Sequence, residues 1–349
     1  MKRFGYQKTN SKLPPGPWKL PVIGHLHHLR GLLPHHTLRD LSRKHGPLML
    51  LQLGEVLSIV VSSPRLAKEV LKTNELVFAN RGSVLIGEIV TYNGEGIVFS
   101  PYGGKWKQLR KICMVELLSA KKTQSFLPMM EEELKLLVKD VSLMAGTPVN
   151  FSQKLFSLMN DITSRAAFGK KYVEEATLLS LVKDVVGLAT GFALPDVFPS
   201  VKFIHRICGA RRRVEKLHEQ IDKILEDIMN DHRMKRKASN SSKNKMEEDL
   251  VDVLLRLQEE DKHEFRIENN CIKAVILEMF MAGSESLSTT TEWALSEMLR
   301  TPRVMKKAQA EVRLVLDGKR KVSQSDVNEL SYLKKTVSVF KDVIYLARV

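Results

Sequence analysis

The sequence predicts a mainly α fold with one small β element, and three observations predict it. From about Lys105 onward, apolar residues recur at helical spacing over most of the chain. Near the N-terminus two β-rich runs, Leu48 to Leu53 and Val56 to Val61, flank Gly54-Glu55 as the arms of a hairpin would. The longest periodic segment, about Glu268 to Arg300, would form a helix on the order of 50 Å long.

Residues 1–17 are a basic linker ending in Leu13-Pro14-Pro15-Gly16-Pro17, where prolines fix φ and remove backbone donors, so the segment reads as a stiff hinge. Residues 18–334 read as the folded body. Pro34 to His45 is a short helix stopped by Gly46-Pro47. Ser63-Pro64 opens another with an N-cap and a proline in the first turn. Later breaks fall at Gly146-Thr147-Pro148, at Phe168-Gly169 and in the loop from Phe192 to Pro199. Arg233 to Met246 is polar, basic and free of large apolar groups, and reads as a mobile loop. Thr301-Pro302 restarts a helix that Gly318 ends, and Ser323 to Asp326 matches a capping box. Residues 335–349 form no convincing amphipathic helix.

Composition narrows the function classes. With 43% apolar and 27% charged residues the chain is an ordinary globular protein. The three cysteines, Cys113, Cys208 and Cys271, lie far apart and suggest neither a disulfide framework nor a zinc site. No stretch approaches eighteen consecutive apolar residues and the start has no apolar signal core, so the chain as written reads as soluble or peripheral. Of the net charge of +15, residues 202–245 supply nearly half, with thirteen Lys or Arg against six Asp or Glu. No aromatic or base-reading groups accompany these cations, so nucleic acid is not expected; solvated helix ends or a face for an acidic protein explain them. The histidines His25, His27, His28, His35 and His36 lack the i, i+4 helical spacing of a metal site, and no metal ligand set is assigned.

One segment carries chemistry. Inside the long helix stands Ala282-Gly283-Ser284-Glu285-Ser286-Leu287-Ser288-Thr289-Thr290-Thr291, in which small residues precede a run of hydroxyls and one carboxylate. The helix is apolar around most of its first half, at Ile272, Ala274 to Leu277 and Met279 to Met281, so the polar groups it carries are buried ones. Two readings stand side by side. The hydroxyls either bond back to helix carbonyls and bend the helix, or Ala282 and Gly283 form a groove that lets a flat ligand approach the backbone beside a proton-passing acid and hydroxyl.

The residues at Ala282 to Leu287 resemble the oxygen-binding helix of the cytochromes P-450, and the adjoining Thr-Thr-Thr-Glu-Trp resembles its plant form. Three further motifs stand in the family's order. Pro14-Pro15-Gly16-Pro17 with Leu20-Pro21 and Gly24 is similar to the hinge after a microsomal membrane anchor. Trp106 and Arg110, after Ser100-Pro101-Tyr102-Gly103, match the helix that meets the haem propionates, and Leu330-Ser331-Tyr332-Leu333-Lys334 matches the lead-in to a Glu-x-x-Arg helix. The wording is nearest the plant sesquiterpene and terpenoid hydroxylases. This resemblance implies a haem-thiolate monooxygenase that inserts one oxygen atom from O2 into a small apolar, terpenoid substrate, with electrons from NADPH-cytochrome P-450 reductase, at the cytosolic face of the endoplasmic reticulum.

By the same resemblance Arg110 binds a propionate, Trp106 donates its indole N–H at the macrocycle edge, and Ala282 and Gly283 face the haem. Glu285 is the acid of the proton relay, with Ser286 in the place of the usual Thr and therefore a leakier relay. Substrate contacts are expected from Gly82 to Val98, Thr190 to Phe203 and Met279 to Ser286. The sequence also departs from the family. It contains no Phe-x-x-Gly-x-Arg-x-Cys-x-Gly loop and no Glu-x-x-Arg, Arg206-Ile207-Cys208 being the nearest imitation, with Cys208 read as an ordinary small residue. The expectation is a cytochrome P-450 fold incomplete at both ends, with haem binding in doubt, no catalysis by this chain, and a 335–349 tail of intron or frameshifted origin. A non-catalytic fragment holding apolar ligands is the alternative.

Overall fold

The structure is a computed structural model that describes residues 13–29, 33–171, 175–189, 194–201, 203, 208–239, 248–260, 266–319, 322 and 324–338. These fall into two compact units, one drawn from the stretches up to 85 and 189–213, the other from 86–188 and 214–348.

The first unit is built on the hairpin. Strands β1 (Leu48–Leu53) and β2 (Val56–Val61) pair antiparallel with Leu48 opposite Val61 and Leu53 opposite Val56, so Gly54-Glu55 forms the tight turn. Gly54 sits at φ +62, a conformation glycine adopts without a Cβ penalty. Alternation sends Met49, Leu51 and Leu53 inward, where they meet Leu29, Val197 and Phe198. Helix Pro34–His45 ends at Gly46, whose φ is +99, and Ser63 caps helix Pro64–Lys68 by accepting the Leu66 N–H at 3.3 Å. Within the loop from Phe192 to Pro199, Leu194–Val197 is one helical turn, and residues 192 and 193 lie outside the described set.

The second unit is helical. Helix Gly104–Ile112 continues through a wider π turn, Cys113–Leu117. Helices Phe151–Phe168 and Leu250–Glu260 pack on the long helix Asn269–Arg300, Ala210–Ser239 is tied to it through Asp222 and Glu226, Glu175–Ala189 shares a cavity with it, and Leu127–Leu143 packs on Phe151–Phe168; Pro302–Val315 and Gln324–Glu329 come after it. Gly169, left-handed at φ 71, closes Phe151–Phe168 where the Phe-Gly signal places the break. From Cys271 to Leu277 every residue of the long helix is buried, and Phe280 stacks near Phe168 with ring centroids 5.7 Å apart.

One expectation is corrected. Residues 233–239 are helical and not loop: Arg233 donates to Asn269 at 2.8 Å and Arg236 to Glu259 at 2.8 Å, so good helix formers find partners for their charges, while 240–247 lie outside the described residues. Residues 335–338 continue a helix that begins at 331. Its first turn is held by Glu311, whose carboxylate accepts the N–H groups of Tyr332 at 2.8 Å and Leu333 at 2.9 Å. The capping residue Ser323 lies outside the described set.

Candidate functional site

At Ala282 to Thr291 the long helix remains α-helical, so no change of helix type marks Gly283. The hydroxyls bond back along the helix: Ser286 donates to the Ala282 carbonyl at 2.6 Å, Ser288 to Ser284 at 3.0 Å, Thr290 to Ser286 at 2.7 Å and Thr291 to Leu287 at 2.9 Å. That satisfies the protons which a helix interior would otherwise strand.

The run presents three faces. Gly283 looks at helix Phe151–Phe168, where a Cβ would come within 3.1 Å of Thr163 Cγ2 and Oγ1; its small size serves helix packing, and the side expected to meet a flat ligand is taken. Glu285 lines an open cavity of about 700 Å³ with Phe156, Val182, Lys183, Phe280 and Glu292, and among the described residues no hydrogen bond or ion pair engages its carboxylate. Ala282 and Ser286, one turn apart, are exposed on the third face together with Trp293.

Trp106 and Arg110 stand one turn apart on Gly104–Ile112, the guanidinium 5.2 Å from the indole centroid in a cation–π stack. Arg110 is exposed, free to meet an anion with its planar fork. The indole N–H, expected to donate outward, instead donates to the Ile97 carbonyl at 3.0 Å.

Ile97 links this pair to the long helix. Glu278, 7% exposed, accepts the N–H of Ile97 at 2.6 Å and of Val98 at 3.1 Å. Burial pushes its pKa up, and the two amide donors pull it back only part of the way. Gly96 has no room for a side chain, because a Cβ would collide with both Glu278 oxygens. Five residues earlier Lys273, 5% exposed, donates to Asp222 and Glu226 at 2.7 Å each. Burial opposes its charge, and the two carboxylates outweigh burial and raise its pKa. The apolar run predicts that polar groups of this stretch are interior, and no motif singles out either residue. Two charges inside an otherwise apolar run, Ile272 to Met281, were the available signal.

The expected substrate segments divide. Gly82 to Val98 is described, and its 91–98 part carries these anchors; Met279 to Ser286 lies on the long helix; of Thr190 to Phe203, residues 190–193 and 202 are outside the described set. Among the described residues one group gathers metal-ligand atoms, His232, Asp249 and Asp252. There the two ring nitrogens of His232 are engaged by Ile228 O and Asp249, both at 2.8 Å, and Asp249 also accepts the Asp252 N–H at 2.9 Å, so the group is an ion pair joined to a helix cap. No helix of the described residues is long and apolar enough to cross a membrane.

A sequence model of the cytochrome P-450 family matches residues 14–338. The chain belongs to the cytochrome P-450 family. It is 52% identical to desmethyl-deoxy-podophyllotoxin synthase of Sinopodophyllum hexandrum, covering 94% of this chain and 65% of that protein. It is 48% identical to premnaspirodiene oxygenase of Hyoscyamus muticus, over 95% and 67%, and 47% identical to germacrene A hydroxylase of Barnadesia spinosa, over 95% and 66%. The chain thus spans about two thirds of the length of these relatives. A zebrafish cytochrome P-450 solved with abiraterone superposes with a TM-score of 0.70 at 23% identity, over 88% of this chain and 68% of that one, and has the same fold.

Cytochromes P-450 carry haem, and the residues here fit its rim better than its iron. Arg110 is an exposed cation suited to a carboxylate, and Ala282 and Ser286 form a low, open helix face. Iron in this family needs a thiolate. Cys113 and Cys271 are buried and their thiols are pushed up to about 12, burial being the main cause, so both are packed neutral groups. Cys208 is exposed beside Arg206 and Ile207, which lie outside the described residues. Neither Cys113 nor Cys271 is presented as a thiolate.

Proposed function

We propose that these residues belong to a haem-dependent monooxygenase that oxidises a small apolar molecule of terpenoid type, with electrons delivered by a reductase at the endoplasmic reticulum membrane. In this reading residues 18–334 supply the distal helix and the propionate corner. The observation that carries it is the linkage of the open Ala282–Ser286 face and the Trp106–Arg110 pair through one helix, by way of Glu278 and Ile97. Relatives named for oxidation of terpenes support the substrate class.

Haem, when bound, supplies the oxygen chemistry; this chain's residues bind, orient and move protons. Arg110 would hold a carboxylate of the cofactor as a charge-assisted fork, with Trp106 packed beneath it. Ala282 would keep the helix face low for a bound macrocycle, and Gly283 keeps that helix seated against Thr163. Ser286, its own proton given to Ala282, presents an acceptor to a water at the face. Glu285 is the ionisable group that delivers protons from the cavity side.

The alternative, a non-catalytic fragment that holds apolar ligands, is favoured for the 349-residue chain alone by the packed thiols of Cys113 and Cys271. A reduced, carbon monoxide-treated sample decides between them. The expected result is no red-shifted thiolate band from the 349 residues and a clear band once they are continued with the last third of a close relative. A thiolate band from the 349 residues, or none from the continued protein with its fold intact, overturns the reading.

A further inference from the structure

Residues 91–98 lie between two buried charges of the long helix, and their backbone is unusual. Tyr92 (φ 53) and Asn93 (φ 62) are consecutive non-glycine residues in the left-handed region, succeeded by Gly94 at φ 79. Such residues persist only where surrounding contacts over-determine them. At the Tyr92 end the phenol donates to Asp222 Oδ1 at 2.7 Å, and Lys273 donates to the same oxygen at 2.7 Å. Burial, then the Asp222 carboxylate, raises the phenol pKa, so Tyr92 stays a donor. The ring also stands edge-on to His218 at 4.6 Å. At the other end Glu278 takes the N–H groups of Ile97 and Val98. Lys273 and Glu278 are five residues apart, about 7.5 Å along the helix axis.

We propose that Lys273 and Glu278 clamp residues 91–98 as a strap whose purpose is to position Trp106, and through it Arg110, against the long helix. Each link is a contact: Glu278 carboxylate to the Ile97 and Val98 amides, Ile97 carbonyl to the Trp106 indole, indole to guanidinium. Glu278 is the fixed anchor, because it is buried, bidentate and set against a glycine that admits no side chain. Tyr92 is the more releasable end, because one side-chain hydrogen bond, to Asp222, with ring contacts to His218 and Lys273, holds a strained turn. Both are positioning residues. Only the last link, what Arg110 holds, rests on the proposed function.

The test needs no haem. Trp18 and Trp293 are 65% and 55% exposed, so Trp18→Phe with Trp293→Phe leaves Trp106 as the sole indole reporter in the full chain. In that background Glu278→Ala should raise amide exchange over residues 96–98 by about tenfold or more and shift Trp106 emission to the red, while exchange in Leu250–Glu260 is unchanged. Glu278→Gln, which keeps one acceptor, should recover part of both signals, and Tyr92→Phe should raise exchange over 91–95 and leave 97 and 98 protected. Should Glu278→Ala not fold, the Gln and Phe variants still decide. Wild-type exchange at 96–98 and unshifted emission in Glu278→Gln, or in a folded Glu278→Ala, overturn the clamp, as does loss of protection at 97 and 98 in Tyr92→Phe. Failure of the carbon monoxide test would leave the clamp standing and remove only the cofactor from the end of the chain.

Discussion

At the scale of single residues, Gly96 and Gly283 are both small for a reason, and the reasons differ in cost. Alanine at 96 drives a methyl into the Glu278 carboxylate, which its two amide bonds hold in place, so Gly96→Ala should destabilise by about 2–3 kcal/mol. At 283 the neighbour is the side chain of Thr163, and a shift of a few tenths of an ångström relieves it. A helix interior also favours Ala over Gly by about 1 kcal/mol. Gly283→Ala should therefore remain within about 1 kcal/mol of the wild type in urea unfolding; the reverse ranking would contradict both placements. The expected site residues Ala282, Gly283, Glu285 and Ser286 stand out in the sequence because a glycine followed by a run of hydroxyls is unusual in a helix interior. Which way each points does not, since position on a helix face is decided by what packs there. Neither Glu278 nor Lys273 stands out in the sequence, because their partners, two backbone amides for one and Asp222 and Glu226 for the other, come from distant parts of the chain.

Among elements, the joint between Ala210–Ser239 and Leu250–Glu260 depends on pH. Burial disfavours a charged His232, but its hydrogen bond to Asp249, that carboxylate's charge and the Ile228 carbonyl together hold the ring's pKa above its ordinary 6.5. The folded state therefore binds the proton more tightly than the unfolded chain does. The stability this contributes is whole below about pH 6.5 and is lost as pH rises through the folded value. Urea midpoints should fall across that alkaline limb in the wild type and lose that component in His232→Gln. Asp249→Asn, which damages the ion pair and weakens the cap on Asp252, should cost about 3–5 kcal/mol at neutral pH. Helices and hairpin were readable from periodicity and from Gly46, Gly54 and Gly169. Residues 233–239 were misread because their composition is that of a loop, whereas their acidic and amide partners come from other elements.

At the scale of the molecule, the long helix is enclosed over its first half and open over its second. Leu287, Trp293 and Leu299 are exposed there, as are Leu134, Val138 and Leu143 on Leu127–Leu143. Apolar surface of this extent binds hydrophobic dyes and promotes association. The 349 residues alone should enhance anilinonaphthalene sulfonate fluorescence and sediment as more than a monomer, and continuation with a relative's last third should suppress both. Equal dye binding by the two proteins would show that the open face is not what the later residues cover. The order of the clamp along the polypeptide has a consequence for synthesis. Every group that ties Arg110 to the long helix, from Tyr92 through Asp222 to Glu278, is translated before residue 279. A nascent chain can therefore set this corner while the ribosome is still adding residues beyond it, so that later segments dock onto a preformed corner.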